Sequence, residues 1–429
     1  MPKIRWLMIA MCFLANAISY IDRANLAIAA PAIRAELGIN AAEMGLVLSA
    51  FFWTYALMQL PAGWFIDRLG VRISLAFAVT WWSLFTIATG AARGVTQFIG
   101  ARLMLGVGEA FSLPSFTRVA FNWFPRSERG MACGIFNSGS TTGSALSLPA
   151  VTALIVLVGW RGAFAVTGIL GIVWVLAWWF IYRDPEKYRD IAPAQVDALL
   201  AQRGMPSAPA ATAKISWADL FRYRSVWGLM IGLFCLNFAI YFFITWFPSY
   251  LLQARGFSLT SLGTLGMVPA LMAILGNWLG GYTSDRLLKA GWSPTKARKT
   301  CLVGGMLVAS SIGVSAFVES TFVCLAFFSL AYAALSFTGG NVWTVGSEIA
   351  PTKDHVASIG GIQNFAGNLA GILITTFTGV MLVLTKGSFL IPLAVAGGLC
   401  VVGALSYLFI VGKVEPLPLL PSRQKASSM

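Results

Sequence analysis

The sequence predicts an all-α polytopic membrane protein with twelve transmembrane helices, and three observations lead to this fold class. Of its 429 residues, 58% are hydrophobic and only 11% are charged, whereas soluble domains carry about 25% charged residues. Hydropathy separates the chain into twelve apolar segments, each of them at least as long as the roughly 20 residues that a helix needs to cross a bilayer. The basic residues concentrate in alternate loops, as they do in membrane proteins whose basic loops face the cytoplasm.

The twelve predicted helices divide into two sets of six on either side of one long polar loop. This loop, residues 183–224, is too polar to form a core and is predicted to be a cytoplasmic linker. It separates a first bundle, residues 1–182, from a second bundle, residues 225–429. The predicted helices run roughly over residues 6–32, 42–66, 72–92, 95–119, 130–158, 160–182, 225–253, 258–284, 298–318, 320–346, 356–385 and 388–412.

The distribution of Lys and Arg predicts which way the chain crosses the membrane. One set of alternate loops holds most of the basic residues, including those of the long loop. The opposite set holds only Arg34, Arg93, Arg161, Arg255 and Lys386. Both termini and the long loop are therefore predicted to be cytoplasmic. The net charge of +14 follows from this topology and does not indicate a nucleic-acid partner.

Neither the cysteines nor the histidine forms a pattern typical of a disulfide framework or a metal site. The single histidine, His355, has no second histidine to share a metal. The cysteines stand singly in apolar segments and are interpreted as small buried side chains. They are Cys12, Cys133, Cys235, Cys301, Cys324 and Cys400.

The two halves of the chain resemble each other in sequence. Residues 63–68 (G-W-F-I-D-R) follow the second predicted helix, and residues 281–286 (G-Y-T-S-D-R) follow the eighth. Likewise residues 134–137 (G-I-F-N) match residues 361–364 (G-I-Q-N) in the fifth and eleventh helices. Such repeats predict two six-helix bundles of related structure.

Four charged residues lie well inside predicted helices, and all of them are in the first half. Asp22 and Arg23 are in the first helix, and Arg102 and Glu109 are in the fourth. A charge at the middle of a membrane helix costs about 2.5 to 3.5 kcal/mol, so such residues usually face a polar cavity. Arg102 and Glu109 are seven residues apart, which places them on one helix face about 10 Å apart. The four charges predict a transport site, although mutual neutralisation alone is the alternative.

The chemistry of these four side chains predicts two different roles. A carboxylate ligand requires a fixed cation, and a guanidinium offers a planar fork that remains charged. Arg23 and Arg102 are therefore candidate substrate-binding residues. A proton carrier requires a carboxylate whose proton affinity changes with its surroundings. Asp22 and Glu109 are the candidates for proton coupling.

Several motifs resemble those of a known transporter family. Residues 63–72 (G-W-F-I-D-R-L-G-V-R) resemble the cytoplasmic loop motif of the major facilitator superfamily. Together with residues 20–25 (Y-I-D-R-A-N), Arg102, Glu109 and residues 123–129 (W-F-P-R-S-E-R), the motifs make the chain similar to the anion:cation symporters. Within that family, the bacterial galactonate, glucarate and hexuronate proton symporters are similar to it over essentially the whole chain.

This resemblance implies a function and a location. It implies the major facilitator fold and import of a sugar acid, or of a related organic anion, with protons as the coupling ion and no other cofactor. It also implies a monomer in the bacterial inner membrane. No HExxH or GxSxG motif is present, which argues against an enzyme. The two candidate arginines suit an anionic substrate, which argues against a drug/proton antiporter. A channel would be excluded by an experiment that shows proton-coupled accumulation of the substrate.

The remaining candidate substrate-binding residues are polar or aromatic. Amide side chains suit the hydroxyl groups of a sugar acid because they both donate and accept hydrogen bonds. Tyr20 and Tyr55 match family binding positions. The other candidates are Asn137, Ser140, Tyr241, Asn341, Trp343, Gln363 and Asn364.

Three positions depart from the galactonate-type pattern. Ser140, Gly340 and Val342 stand where that pattern has Gln, Ser and Thr. These differences leave open an aromatic-acid or tartrate-type substrate. Charged residues of the loops that follow the second and eighth helices, together with Arg129, are predicted to act in gating. The gating candidates are Asp67, Arg68, Arg72, Arg129, Asp285 and Arg286.

Overall fold

A computed structural model describes residues 3–124, 128–188, 217–351 and 356–418. The described residues form helices joined by short turns. The first part contains α1 to α6, which are Ile4–Leu37, Ala41–Leu69, Val71–Ala91, Val95–Glu109, Ser112–Trp123 and Arg129–Ile181. Then follow α7 to α11, which are Trp217–Leu220, Arg224–Thr245, Phe247–Gln253, Leu259–Leu265 and Val268–Lys289. The last helices, α12 to α16, are Pro294–Ala309, Ser311–Val314, Thr321–Glu348, Val356–Leu384 and Leu390–Leu405, and a π-helical turn follows at Ser406–Ile410.

This architecture confirms the all-α, twelve-helix prediction. Within the described ranges, ten helical stretches are long and apolar enough to cross a membrane. One of them, Met131–Ile181, contains two crossings, because Gly159 adopts a positive φ of 72° and breaks the helix at the boundary that the sequence predicts. The remaining crossing consists of α4 and α5, which are separated by a two-residue turn.

Four predicted helices are interrupted. The ninth breaks at Ser310 without a proline, and in the other three the interruption lies just ahead of a proline. Pro114 is the third residue of α5, Pro248 is the second of α9, and Pro269 is the second of α11. Proline has no N–H for the carbonyl four residues earlier, and its ring clashes with that carbonyl. The predicted fourth, seventh and eighth helices are therefore each built from two helical pieces. The first of these breaks places Glu109 at the last residue of α4.

The described residues divide into two compact units. The first contains the described residues before 189, together with Ile244–Met267 and Thr375–Ser388. The second contains the described residues within 217–243, Val268–Ile374 and 389–418. Residues 189–216, the central part of the predicted linker, lie outside the described ranges. The domain boundaries after residues 182 and 224 therefore stay a prediction.

Glycines allow the helices of the first unit to pack closely around the predicted charges. A Cβ atom at Gly139 would lie 3.1 Å from the Cβ of Asn16, and one at Gly143 would lie 2.9 Å from the Cα of Ala17. These contacts bring α1 against α6, where Asn16 Nδ2 donates to the carbonyl oxygen of Phe136 at 2.8 Å. Small residues permit such close approach of membrane helices. The position of Asp22 and Arg23 on α1 is fixed by this packing.

A second close approach brings α2 against α4. A Cβ atom at Gly106 would lie 3.1 Å from the backbone nitrogen of Tyr55 and would collide with the hydroxyl of Thr54. Thr54 Oγ1 donates to the carbonyl oxygen of Leu103 at 2.6 Å. The aromatic residues at this level of α2 therefore lie beside the helix that carries Arg102 and Glu109.

Candidate functional site

The four predicted charges lie in the interior of the first unit. Asp22 and Glu109 are buried, Arg102 is 3% exposed, and the side chain of Arg23 is 11% exposed. Arg23 Nε donates to Glu109 Oε2 at 2.5 Å, which joins α1 to α4 by an ion pair. Ser19 Oγ donates to the same oxygen at 3.1 Å. The other oxygen, Glu109 Oε1, has no hydrogen bond among the described residues.

Three aromatic rings surround the guanidinium of Arg23. Its Cζ lies 4.8 Å from the ring centroid of Tyr20 and 4.7 Å from the centroids of both Phe51 and Tyr55. The rings of Phe51 and Tyr55 stack, with centroids 5.2 Å apart. A guanidinium within about 6 Å of an aromatic ring is stabilised by a cation–π interaction. Arg23 is therefore held by one carboxylate and three rings.

The guanidinium of Arg102 has different surroundings from that of Arg23. Its Cζ lies 5.3 Å from the centroid of Phe51, so this ring contacts both arginines. Among the described residues, no carboxylate lies within ion-pair distance of Arg102, and its buried Nε has no hydrogen-bond acceptor. A buried guanidinium without a direct partner is costly in a membrane protein. Arg102 thus differs from Arg23 in having no direct ion pair among the described residues.

Asp22 lies on a different side of α1 from the Arg23–Glu109 pair. Its neighbours are Thr86 of α3 and Thr167 of α6. Neither of its carboxylate oxygens has a hydrogen bond of ordinary distance and angle within the described part of the chain. The two predicted proton carriers therefore occupy separate surroundings.

The remaining substrate-binding candidates of the first unit differ in their surroundings and in their exposure. Ser140 lies beside Tyr20, and its hydroxyl also donates to the carbonyl oxygen of Asn137 in its own helix at 2.7 Å. The side chain of Asn137 is exposed. Tyr20 and Tyr55 thus lie around Arg23, and Ser140 lies beside Tyr20.

The second unit contains the other predicted substrate-binding residues. Asn341 is buried in helix packing, where its Nδ2 donates to the carbonyl oxygen of Gly280 at 3.1 Å. Gln363 is also buried, and neither end of its amide has a hydrogen-bond partner among the described residues. Trp343 is half-exposed, while Tyr241 and Asn364 are half-buried. Gln363 is therefore the amide of this group that is not committed to another protein group.

The predicted gating residues lie near helix ends. Arg72 Nη2 donates to the carbonyl oxygen of Trp179 at 2.5 Å, and Arg68 is exposed beside the ring of Trp64. Asp285 Oδ1 lies 3.7 Å from Nη1 of Arg298.

Arg286 is exposed. The side chains of Asp67 and Arg129 lie outside what the structure describes. Arg298 also pairs with Glu348 at 2.9 Å and donates to Ser284 at 2.6 Å, a partly buried cluster that the sequence analysis missed.

Sequence reasoning also missed Phe51 and Ser19 in the first unit. Phe51 stands four residues before Tyr55, and Ser19 stands four residues before Arg23. Residues four apart share a helix face. This spacing, extended from the residues already chosen, is the signal that identifies both.

Comparison with known proteins places the chain among membrane transporters. The Major Facilitator Superfamily model matches residues 12–375. The D-galactonate transporter of Escherichia coli O6:H1 is 35% identical over 420 residues, which cover 96% of each chain. The probable galactarate/D-glucarate transporter of Bacillus subtilis is 34% identical over 98% of this chain and 95% of its own length. A crystal structure of a bacterial homologue of the human lysosomal transporter Spinster matches with a TM-score of 0.75 at 20% identity, covering 96% of this chain and 95% of that one.

Proposed function

The chain belongs to the Major Facilitator Superfamily, and from this premise we propose that it is a secondary active transporter that imports a sugar acid by proton symport with alternating access. The substrate class is a hexonate, hexuronate or aldarate, or a related organic anion. The relatives named for galactonate and for galactarate and glucarate support this class. We also propose that the protein is not an enzyme and that it functions as a monomer in the bacterial inner membrane with both termini in the cytoplasm.

One observation supports anion transport above all others. Arg102 is buried without an ion pair among the described residues, 5.3 Å from the same ring that contacts Arg23. A fixed guanidinium without a direct ion pair, close to a second guanidinium, suits a substrate carboxylate, which accepts two parallel hydrogen bonds from such a fork. A cationic drug would be repelled by this arrangement, which disfavours a drug/proton antiporter.

In the coupling mechanism, the charge of Glu109 decides whether Arg23 is held in the Arg23–Glu109 ion pair. With Glu109 ionised, Arg23 is held by its carboxylate and by the surrounding rings. A proton on Glu109 removes the negative charge, so Arg23 is free to bind the substrate carboxylate together with Arg102. Release of the substrate lets Glu109 lose its proton and pair with Arg23 again. Asp22 serves as a second proton carrier on the other side of α1.

Uptake into proteoliposomes tests the proposed function. Galactonate, glucarate, glucuronate, galacturonate, tartrate and 4-hydroxyphenylacetate are compared under an inward proton gradient. We expect accumulation of a sugar acid that collapses when a protonophore is added. Accumulation of tartrate or 4-hydroxyphenylacetate alone would replace the substrate class. Uptake of none of the six with protons would contradict sugar-acid symport.

Phe51 is expected to set the affinity for the anion because it contacts both arginines. Phe51→Leu keeps an apolar side chain of similar size but removes the ring face. Each cation–π interaction contributes about 0.5 to 2 kcal/mol, so we expect the KM for the transported anion to rise about five- to tenfold. The measurement is initial uptake rate against substrate concentration.

The adjacent ring provides the matched control for Phe51. Phe52 is also buried, and its centroid lies 5.2 Å from that of Phe51. Phe52→Leu should leave the KM unchanged, and Phe51→Tyr should restore it because the ring is kept. Equal KM values for Phe51→Leu and the wild type would exclude this role of the ring.

A further inference from the structure

Asp22 lies in a pocket of neutral oxygen-bearing side chains contributed by three helices. Asn25 is one turn further along α1, Thr86 is on α3 and Thr167 is on α6. These four residues are each at most 3% exposed. Asn25 Nδ2 donates to Thr167 Oγ1 at 3.0 Å, which fixes the position of that hydroxyl. The side chains around Asp22 are therefore buried, and at least one of them is held in place by a hydrogen bond.

Thr86 differs from the other threonines of its own helix. Thr80 and Thr89 donate their hydroxyls to the carbonyl oxygens of Ala76 and Phe85 at 2.8 and 2.7 Å. This bond to the preceding turn is the usual one for threonine in a helix. The hydroxyl of Thr86 makes no such bond within the described ranges, although it is fully buried beside Asp22. Its hydrogen-bonding capacity is therefore available to the carboxyl group.

Hydroxyl groups suit a carboxyl group that gains and loses a proton. A hydroxyl donates to an ionised carboxylate and accepts from a protonated one, which an amide N–H or a guanidinium cannot do. The charged groups that act on Asp22 are Glu109 and Arg102 of α4. Arg23, the adjacent charged residue of α1, is paired with Glu109. The groups beside Asp22 on α3 and α6 are the two threonines.

We propose that Thr86 and Thr167 are positioning residues that hold the Asp22 side chain in both of its protonation states, with Asn25 fixing Thr167. This proposal rests on the proposed proton symport. In this structure Thr167 Oγ1 donates to the carbonyl oxygen of Phe164 at 3.4 Å, a long hydrogen bond. When Asp22 is ionised, this hydroxyl turns to the carboxylate, so that both threonine hydroxyls donate to it. In the protonated state the Asp22 O–H donates to one threonine oxygen. The proton is thereby taken up and released without a large movement of the side chain.

The test measures how uptake depends on the pH of the loading side. Thr86→Val and Thr167→Val remove a donor to the ionised carboxylate and so disfavour loss of the proton. Because a hydrogen bond to a charged group is worth more than one to a neutral group, the pH at which uptake falls to half its maximum should rise by about one unit. The maximal rate should also fall, because release of the proton becomes slower. Thr86→Ser and Thr167→Ser should restore the wild-type profile.

Thr89→Val is the matched control, since it removes an equally buried hydroxyl of α3 whose bond is to its own helix. It should leave the pH profile unchanged. In an Asp22→Asn background, Thr86→Val should cause no further loss of substrate counterflow. A further loss there, or a wild-type pH profile in both valine variants, would overturn the positioning role. If wild-type uptake is not proton-driven, the failure lies in the proposed function instead.

Discussion

Glu109→Gln is expected to reduce accumulation of the substrate strongly while exchange of substrate across the membrane persists. Glutamine has the size of a protonated glutamate and no charge, so it represents the proton-loaded state permanently. Its side-chain oxygen can still accept from Arg23 and Ser19, the two donors that Glu109 uses in the structure. Arg23 is then free for the substrate carboxylate in every conformation. The carrier loads and unloads substrate but cannot require a proton at this site.

Two measurements separate these effects. Accumulation under an inward proton gradient should fall far below the wild-type level, because only Asp22 still carries a proton. Counterflow with substrate on both sides should stay within about threefold of the wild-type rate, because exchange of substrate for substrate requires no net transfer of a proton. Glu415→Gln, an exposed position near the end of the described chain, is the control. Accumulation by Glu109→Gln equal to that of the wild type would show that Glu109 does not couple transport to protons.

The choice of glutamine matters because the ion pair is buried. Removing one member of such a pair leaves an uncompensated charge, which costs about 3 to 5 kcal/mol. Glu109→Ala would leave Arg23 in that condition and could lose transport through instability alone. Glutamine keeps a hydrogen-bond acceptor at the same place. The loss of accumulation can then be assigned to the missing titration.

Much of this site can be predicted from the sequence because its signals are local. Asp22, Arg23, Arg102 and Glu109 stand out as charges in apolar runs, and the boundary at Gly159 follows from hydropathy. The helix break after Glu109 can also be predicted, since Pro114 cannot donate a backbone hydrogen bond to the carbonyl of residue 110, four residues earlier. The all-α fold follows from segment length and composition.

The pairing of the charges could not be predicted, because it depends on how the helices are rotated against one another. Arg23 rather than Arg102 contacts Glu109, although Arg102 shares a helix with it. Which arginine contacts Glu109 depends on helix contacts between residues far apart in the sequence, such as Gly139 against Asn16. The position of Thr86 beside Asp22 could not be predicted for the same reason. Nothing in the sequence separates it from Thr89, which bonds to its own helix.

The structure also separates two arginines that the sequence treats as equivalent. Arg23 has a carboxylate partner and three aromatic contacts, whereas Arg102 contacts one ring and has no ion pair among the described residues. The energetic consequence of losing each side chain therefore differs. We therefore expect Arg23 to contribute to the stability of the empty carrier, and Arg102 to contribute mainly when a substrate is bound.

Arg102→Gln is expected to remove substrate binding without lowering the stability of the empty protein. A charge-assisted, two-point contact with a carboxylate is worth up to about 3 kcal/mol, so the Kd should rise about a hundredfold. Arg102→Lys keeps the charge but loses the planar fork, and should weaken binding by about tenfold. The measurement is the rise in melting temperature that the substrate produces, followed over a range of concentrations.

The comparison with Arg23→Gln makes this prediction specific. Arg23→Gln leaves Glu109 buried and unpaired, so its melting temperature without substrate should fall below that of the wild type. Arg102→Gln breaks no ion pair, so its melting temperature should be no lower than that of the wild type, while the shift caused by substrate disappears. A destabilised empty Arg102→Gln protein would show that Arg102 has a structural role. An unchanged Kd would mean that the substrate carboxylate binds elsewhere, and Arg23 would then be the remaining guanidinium of the site.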